Sequence, residues 1–223
     1  MSRTWIISLI VISLLVVLFW PNQEKPQQAS QPQMMPWDVT FSSNGNSRVM
    51  GLEIGRSTPA DASEVFARRG ELALFADEGG GLSAESFFSE LTTGGLSGRI
   101  ILTLELDKTE LELMAKRAVK RKPMETGSIK YTPNRDDRLK LLNLPIISVT
   151  YIPYIDLDMG IIESRFGKAE DTRHSATGQT HLLYPSRGME VILDDVGKEV
   201  IQYVNRNEFS RLQRSLNRQD VNL

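Results

Sequence analysis

The sequence predicts an α+β protein: an N-terminal transmembrane helix followed by two tandem units, each a helix plus an antiparallel β-meander. Three observations lead to this prediction. The first 23 residues hold a long, uncharged apolar run. Residues 48–135 and 136–206 each pass from a capped helix into short apolar runs separated by glycine-containing turns. Several of these runs alternate apolar and polar residues, which is the period of a strand with one buried face.

The N-terminal run has the length of a membrane span. No charged residue occurs from Thr4 to Gln23, and tryptophans flank the core at positions 5 and 20. Twenty helical residues at about 1.5 Å each cover about 30 Å, the thickness of the hydrocarbon core. A cleaved signal peptide is the alternative, but it usually has a shorter apolar region and an A-x-A-like end. We therefore predict a signal-anchor at residues 1–23 that contacts the membrane through residues 5–20.

The charges around this run predict its orientation. Arg3 and the α-amine favour a cytoplasmic N-terminus, although Lys25 lies just beyond the run. The short N-terminal tail suits a single-pass protein of the inner (cytoplasmic) membrane with its body in the periplasm. Residues 24–47 are rich in Pro, Gln, Ser and Asn, and we predict a linker there. Its apolar residues Met34, Met35, Trp37 and Phe41 could dock on the body, which is the commoner case, or on a partner.

Composition excludes several functional classes. The net charge is −2, so the chain has no overall field for nucleic acid, and none is expected as a partner. There is no cysteine, which removes disulfides, thiolate metal sites, a cysteine nucleophile and a lipidated N-terminal cysteine.

The first unit, 48–135, begins with a helix whose start is well marked. Thr58 is the predicted N-cap, Pro59 takes the first helical position, and Asp61 follows three residues after the cap. Gly70 is predicted to end this helix in a left-handed conformation. The predicted buried stripe is formed by Ala62, Val65 and Phe66.

A strand and a second helix follow in this unit. The strand is predicted from the alternation of Ile100, Leu102, Leu104 and Leu106 with more polar residues. Residues 108–122 predict a helix, with acidic residues in its first turn and basic ones in its last. Residues 123–138 are interpreted as a surface excursion.

The second unit, 136–206, starts with the most apolar part of the body. Pro145 and Pro153 interrupt it, which predicts a short helical turn and then an edge strand. A helix with Asp156 as cap and Gly167 as terminator is expected next, followed by three strands. Its predicted apolar stripe is Ile161, Ile162 and Phe166. Residues 207–223 predict a short basic amphipathic helix built on Phe209, Leu212 and Leu216.

Residues 156–204 resemble the BamE/SmpA-type envelope modules and the related repeats of β-lactamase inhibitor proteins. The resemblance lies in Phe166-Gly167 after the capped helix, in Leu183-Tyr184, in residues 191–193 and in residues 197–200. The proline that follows the glycine in that family is replaced here by Lys168-Ala169. The resemblance implies a non-catalytic module that binds other proteins across a sheet or its edge.

Patterns of catalytic and metal-binding residues are weak. His174 and His181 are the only histidines, and with one nearby carboxylate they give no recognised metal spacing. The pairs Asp136-Asp137 and Asp194-Asp195 lie in turn-like contexts. No G-x-S-x-G or P-loop pattern occurs. We therefore predict no enzyme activity, no cofactor and no metal, and we expect one histidine in a surface loop and the other on a strand face.

Two sets of residues are candidate contacts. The first would touch a protein partner: Tyr184, His181, Arg187 and Tyr203, although tyrosines on strands also suit half-buried positions. The second would touch a polyanion or lipid, although it also suits a solvated helix end: Lys116, Arg117, Lys120, Arg121 and Lys122.

These observations predict a membrane-anchored extracytoplasmic adaptor or scaffold of the cell envelope, with an envelope protein as partner. The alternative is an enzyme-inhibitor or small-ligand-sensing module, and a deep apolar cleft between the two units would favour a small ligand over a protein partner. A hydrolase with an unrecognised site is the third reading. It requires His174 or His181 in a pocket beside a carboxylate or serine.

Overall fold

A computed structural model describes residues 35–93, 95–175, 178–194 and 197–212. Within them the fold is α+β, as predicted, with two antiparallel sheets. No helix in the described ranges has the length and apolarity to cross a bilayer, and the predicted anchor, residues 1–23, lies outside those ranges. The predicted Leu216 contact of the tail also lies outside them.

The small sheet has three strands and the large sheet has ten. The small sheet is formed by β1 (Thr40–Phe41), β2 (Ser47–Val49) and β3 (Leu52–Glu53). The large sheet contains β4 (Glu71–Ala76), β5 (Leu82–Thr93), β6 (Leu96–Leu104), β7 (Lys120–Pro123), β8 (Ile129–Thr132), β9 (Ile146–Pro153), β10 (Asp171–His174), β11 (Thr180–Tyr184), β12 (Met189–Leu193) and β13 (Val200–Val204). Its strand order is β10-β11-β12-β13-β9-β6-β5-β4-β8-β7.

Strand β9 joins the two halves of the large sheet. It pairs with β6 on one side and with β13 on the other, so that Tyr151 lies opposite both Ile100 and Ile201. The prediction of an edge strand here is wrong. Pro145 precedes the strand and Pro153 is its last residue, so neither proline removes a hydrogen-bond donor from its interior.

The helices are α1 (Pro59–Val65), α2 (Lys108–Lys116), α3 (Arg135–Leu141) and α4 (Met159–Phe166). Each begins with a side-chain cap that accepts a hydrogen bond from the backbone N–H three residues later: Thr58, Asp107, Asn134 and Asp158. The predicted capping box of α1 is confirmed. The cap of α4 is Asp158 rather than the predicted Asp156, whose carboxylate instead pairs with Lys198 at 2.5 Å.

One predicted helix terminator is confirmed and the other is wrong. Gly167 follows α4 with a φ of 78°, a value that glycine adopts at little cost. At α1 the positive φ of 49° belongs to Ala67, and the helix has already ended at Val65, before Gly70. The structure also exposes Val65 and Ile161, two members of the predicted buried stripes.

The basic segment after α2 differs from its prediction. Helix α2 ends at Lys116, and residues 120–123 form strand β7, which pairs with β8. The predicted surface excursion, 123–138, therefore contains β8 and the first turn of α3. Lysine and arginine favour helices in isolation, but here the pairing of β7 with β8 decides the conformation.

The main core lies on one face of the large sheet. Buried residues from all four helices and from the small sheet join strand residues in one apolar cluster. A row of paired residues crosses this face from β5 to β11: Ser86, Leu102, Val149, Tyr203, Met189 and Tyr184. The helices therefore form a layer on this face, with α4 near β9 and β13.

A smaller cluster covers part of the opposite face. Leu183 and Val204 on the sheet are buried together with Phe209 and Leu212 of the C-terminal segment. The burial of Phe209 and Leu212 agrees with the predicted apolar side of an amphipathic tail. Elsewhere on this face Phe87, Ile101 and Thr150 are half-exposed.

Candidate ligand-binding cavity

An apolar cavity of about 270 Å³ lies between α4 and the large sheet. Among the described residues that line it, polar side-chain groups come from Trp37, Tyr151, Ser164 and Arg165. Its walls are formed by Pro36, Trp37, Leu96, Tyr151, Pro153, Ile155, Leu157, Ile161, Ser164, Arg165, Phe166 and Ile201. No aspartate, glutamate or histidine is among these lining residues, so the cavity offers apolar contact rather than an acid–base pair.

The segment before β1 forms one wall. The ring of Trp37 packs edge-on against Phe166, with centroids 6.0 Å apart, and the guanidinium of Arg165 lies 5.0 Å from the Trp37 centroid. The hydroxyl of Tyr203 donates to the carbonyl oxygen of Pro36 at 2.6 Å. These contacts bear out the expected docking of Trp37 and fix the segment against α4 and β13.

Tyr151 on β9 contributes the inner wall. A side chain at Gly98 on the neighbouring strand would collide with the Tyr151 ring, so the glycine makes room for it. The Tyr151 hydroxyl is buried and has no hydrogen-bond partner among the described groups. Burial raises the pKa of Tyr151 to about 12, so the hydroxyl stays protonated at neutral pH.

Two predicted contact residues hold the C-terminal end of α4 in place. Tyr184 donates its hydroxyl to the Gly167 carbonyl at 3.0 Å, and Arg187 donates to the Phe166 carbonyl at 2.6 Å. Both bonds satisfy carbonyl groups that a helix end leaves without intrahelical partners. Burial raises the pKa of Tyr184, which keeps its hydroxyl a donor. The local role of Tyr184 and Arg187 is thus to position the α4 wall of the cavity.

The mouth of the cavity is surrounded by exposed apolar side chains, which we call the apolar rim: Tyr154, Ile155, Met159 and Ile161. Their exposed fractions lie between 39% and 45%. Ile155 and Ile161 also line the cavity, so the rim and the cavity are continuous. Apolar residues that are both exposed and clustered mark interaction sites more often than isolated ones do.

Three of the predicted protein-contact residues are inaccessible in the folded chain. Tyr184, His181 and Tyr203 are each 1% exposed, so a partner could touch them only if the sheet opened. His181 lies on a strand face, as expected, but it is buried there, and His174 lies on a strand rather than in the expected surface loop. The Nδ1 of His181 lies 2.7 Å from Oε1 of Glu190, which is equally buried. Neither residue lines the cavity.

His174 is exposed on β10. Its Nδ1 lies 3.1 Å from Oγ1 of Thr180. In the β10–β11 register Arg173, not His174, is opposite His181. The described ranges contain no group of three histidine, aspartate or glutamate side chains placed to hold a metal ion.

The predicted basic cluster is divided between two elements. Arg117 lies within 2.7 Å of both Asp137 and Glu110, and Lys140 also contacts Glu110, so carboxylates offset the Arg117 charge. These contacts raise the pKa of Arg117 and lower that of Glu110. The other members, Lys116, Lys120, Arg121 and Lys122, are exposed, and the last three lie on β7.

No family model, curated protein or solved structure matches the chain. The resemblance to BamE/SmpA-type modules therefore stays a prediction. No pattern in the sequence indicated the cavity, because its walls come from the segment before β1, from three strands, from the connection between β9 and α4, and from α4 itself. The sequence does contain a signal for the apolar rim: apolar residues occur in 154–161 at positions that do not form a helical stripe.

Proposed function

We propose that the protein is a non-catalytic binding module of the cell envelope that takes a small apolar ligand into the cavity beside α4. In this proposal residues 1–23 anchor it in the inner membrane and its body lies in the periplasm. The body consists of two tandem units, 48–135 and 136–206. The order of α1 before β4–β6, and of α4 before β10–β13, supports this division.

The chemistry of the cavity carries the proposal. Binding pockets for small molecules are mostly apolar, with a few polar groups that orient the ligand, and have volumes of about 300–1,000 Å³. A cavity of about 270 Å³ lies at the small end of that range, which suits one ring system or one chain. Trp37 and Phe166 supply aromatic walls, while Arg165 and Ser164 place a cation and a hydroxyl at the mouth.

A fluorescent apolar anion tests this function. The full chain with Trp5→Phe and Trp20→Phe keeps Trp37 as its only tryptophan. We expect 1-anilinonaphthalene-8-sulfonate to quench Trp37 emission with a saturable, one-to-one titration. The exposed Ser164 lines the cavity, so Ser164→Phe should fill the mouth and abolish the titration. Leu139→Phe, on the exposed side of α3, is the matched control and should leave it intact. Equal titrations in both variants would exclude the cavity as the binding site.

A protein adaptor is the second candidate, supported by the half-exposed face of the large sheet. Phe87, Ile101 and Thr150 lie side by side across β5, β6 and β9 on the face opposite the helices, and all three are half-exposed. A mixed apolar and polar sheet face of this kind suits contact with an envelope protein. A photoreactive residue at position 101 should then crosslink to one envelope protein in intact membranes, whereas the same residue at position 139 should not.

A further inference from the structure

The length of chain before the body limits how far the cavity can lie from the membrane. Pro36 and Trp37 belong to the cavity wall, and residues 24–34 separate the predicted anchor from the first described residue. Eleven residues reach at most about 40 Å when fully extended. The cavity wall at Pro36 and Trp37 is therefore the part of the described body that the fewest residues separate from the predicted anchor.

The apolar rim has the composition of a membrane-contacting surface. Ile155, Met159 and Ile161 present aliphatic side chains to solvent, and Tyr154 adds an amphipathic ring, as does the half-buried Trp37 of the cavity wall. Such rings favour the headgroup level of a bilayer. Because the predicted anchor keeps the body at the membrane, the apolar rim would bury its apolar atoms against lipid and would need no protein partner to cover it.

Two arginines give the rim a charge that complements lipid phosphate. Arg165 lies over Trp37, and Arg99 lies 5.8 Å from the centroid of Tyr154. Among the described residues neither guanidinium forms a salt bridge with a carboxylate. Of the carboxylates in residues 154–165, Asp156 pairs with Lys198, Asp158 caps α4, and Glu163 is exposed on α4. Guanidinium groups bind phosphate through a planar fork of donors.

We infer that the apolar rim rests on the periplasmic leaflet of the membrane that holds the anchor, and that the cavity admits the acyl chain of one phospholipid from that leaflet. The chain enters between Ile155 and Ile161 and contacts Trp37 and Phe166, while the phosphate stays at the mouth near Arg165. The cavity volume suits part of one chain rather than a whole lipid. This inference rests on the proposed function and names the ligand class.

Quenching of Trp37 by brominated lipid tests the inference. The full-length Trp5→Phe, Trp20→Phe protein is reconstituted in vesicles of phosphatidylethanolamine and phosphatidylglycerol, with and without bromine atoms on the acyl chains. Since bromine quenches tryptophan only at short range, we expect Trp37 to lose most of its emission in the brominated vesicles. Unquenched Trp37 would overturn the inference and leave the rim for a protein partner.

Two variants separate contact with the bilayer from entry into the cavity. The rim variant Tyr154→Ser, Met159→Ser changes the two rim residues that do not line the cavity and should lose the quenching. Leu113→Ser, Leu139→Ser, which changes two exposed apolar residues elsewhere, should keep it. Retained quenching in the rim variant would show that the anchor alone brings Trp37 to the lipid, and would overturn the docking surface. Ser164→Phe should also abolish quenching, and retained quenching there would overturn entry of the chain.

The outcomes of this experiment differ from those of the fluorescent-anion titration. If the anion binds in the cavity but brominated lipid does not quench Trp37, the lipid inference fails and the proposed function stands. If the anion fails to bind, the proposed function fails, whatever the vesicles show. The unfolding midpoint of each variant, measured by circular dichroism, verifies that it is folded.

Discussion

Gly98 allows the Tyr151 ring to occupy the inner wall of the cavity. An added Cβ at this position would lie 2.6 Å from the Ile152 carbonyl oxygen and would also collide with the Tyr151 ring. We expect Gly98→Ala to lower the free energy of unfolding by about 1–3 kcal/mol, the usual cost of overpacking. Urea unfolding of the full chain measures it. Gly79→Ala is the control, because its nearest neighbour would lie at an ordinary 3.4 Å.

The buried pair of His181 and Glu190 makes a second prediction at this scale. Removal of one partner leaves the other polar group buried without its 2.7 Å contact. His181→Leu should therefore cost about 3–5 kcal/mol of unfolding free energy. The double variant His181→Leu, Glu190→Leu should recover much of that loss, because two apolar side chains of similar size replace the pair. A double variant no more stable than His181→Leu would contradict this account.

At the scale of elements, the β2–β3 hairpin contains an ion pair that predicts a pH dependence. Arg48 and Glu53 are opposite each other in register, and their side chains lie 2.8 Å apart. Hydrogen bonding to Arg48 lowers the pKa of Glu53 from 4.5 to about 2. A carboxylate with a depressed pKa stabilises the folded state above its unfolded pKa, and that contribution is lost as the pH falls through the folded pKa.

We therefore expect Glu53→Gln to be less stable than the native protein at pH 7. The difference should shrink between pH 4.5 and pH 2, which are about the pKa values of the Glu53 carboxyl in the unfolded and in the folded protein. Urea midpoints of both proteins at pH 7, 4.5 and 3 measure it. A difference that stays constant over this range would show that Glu53 acts by packing rather than by charge.

Local chemistry determines which elements could be predicted from the sequence. The caps of α1 and the end of α4 were predictable because Thr58, Asp61 and Gly167 act on their nearest backbone groups. The central place of β9 was not predictable from its own residues, because it depends on pairing with β6 and β13, which lie far away along the chain. The conformation of β7 was not predictable either, because its lysines favour a helix in isolation and only the pairing with β8 makes this segment a strand.

At the scale of the whole molecule, long-range packing produces the features that carry function. Trp37, Phe166 and Ile201 are far apart in sequence, and only the complete fold brings them to one cavity. The burial of His181 was equally hidden, because it lies on the sheet face where the C-terminal segment packs through Phe209 and Leu212. Periodicity predicted which strands would be half-buried, but not what would cover them.

Both outer strands of the large sheet, β7 and β10, are exposed and rich in charged side chains. An unpaired strand edge can pair with another chain, and lysine or proline at the edge discourages this. The residues of β7 are Lys120, Arg121, Lys122 and Pro123, and Lys122 lies directly opposite Lys130 on β8. Lys130 pairs with Glu71 at 2.7 Å, whereas Lys122 forms no ion pair among the described residues, so the charge of Lys122 fits a role in preventing association better than a role in stability.

Lys120→Val with Lys122→Val should therefore change the free energy of unfolding by no more than about 0.5 kcal/mol, because both side chains are exposed. The same variant should form larger assemblies, since an apolar edge strand can pair with a second copy. Light scattering in detergent solution measures this. Lys108→Val with Lys116→Val is the matched control, because it removes two exposed charges from α2 and leaves both sheet edges intact. If the two variants associate equally, the lost net charge and not the edge of β7 is responsible.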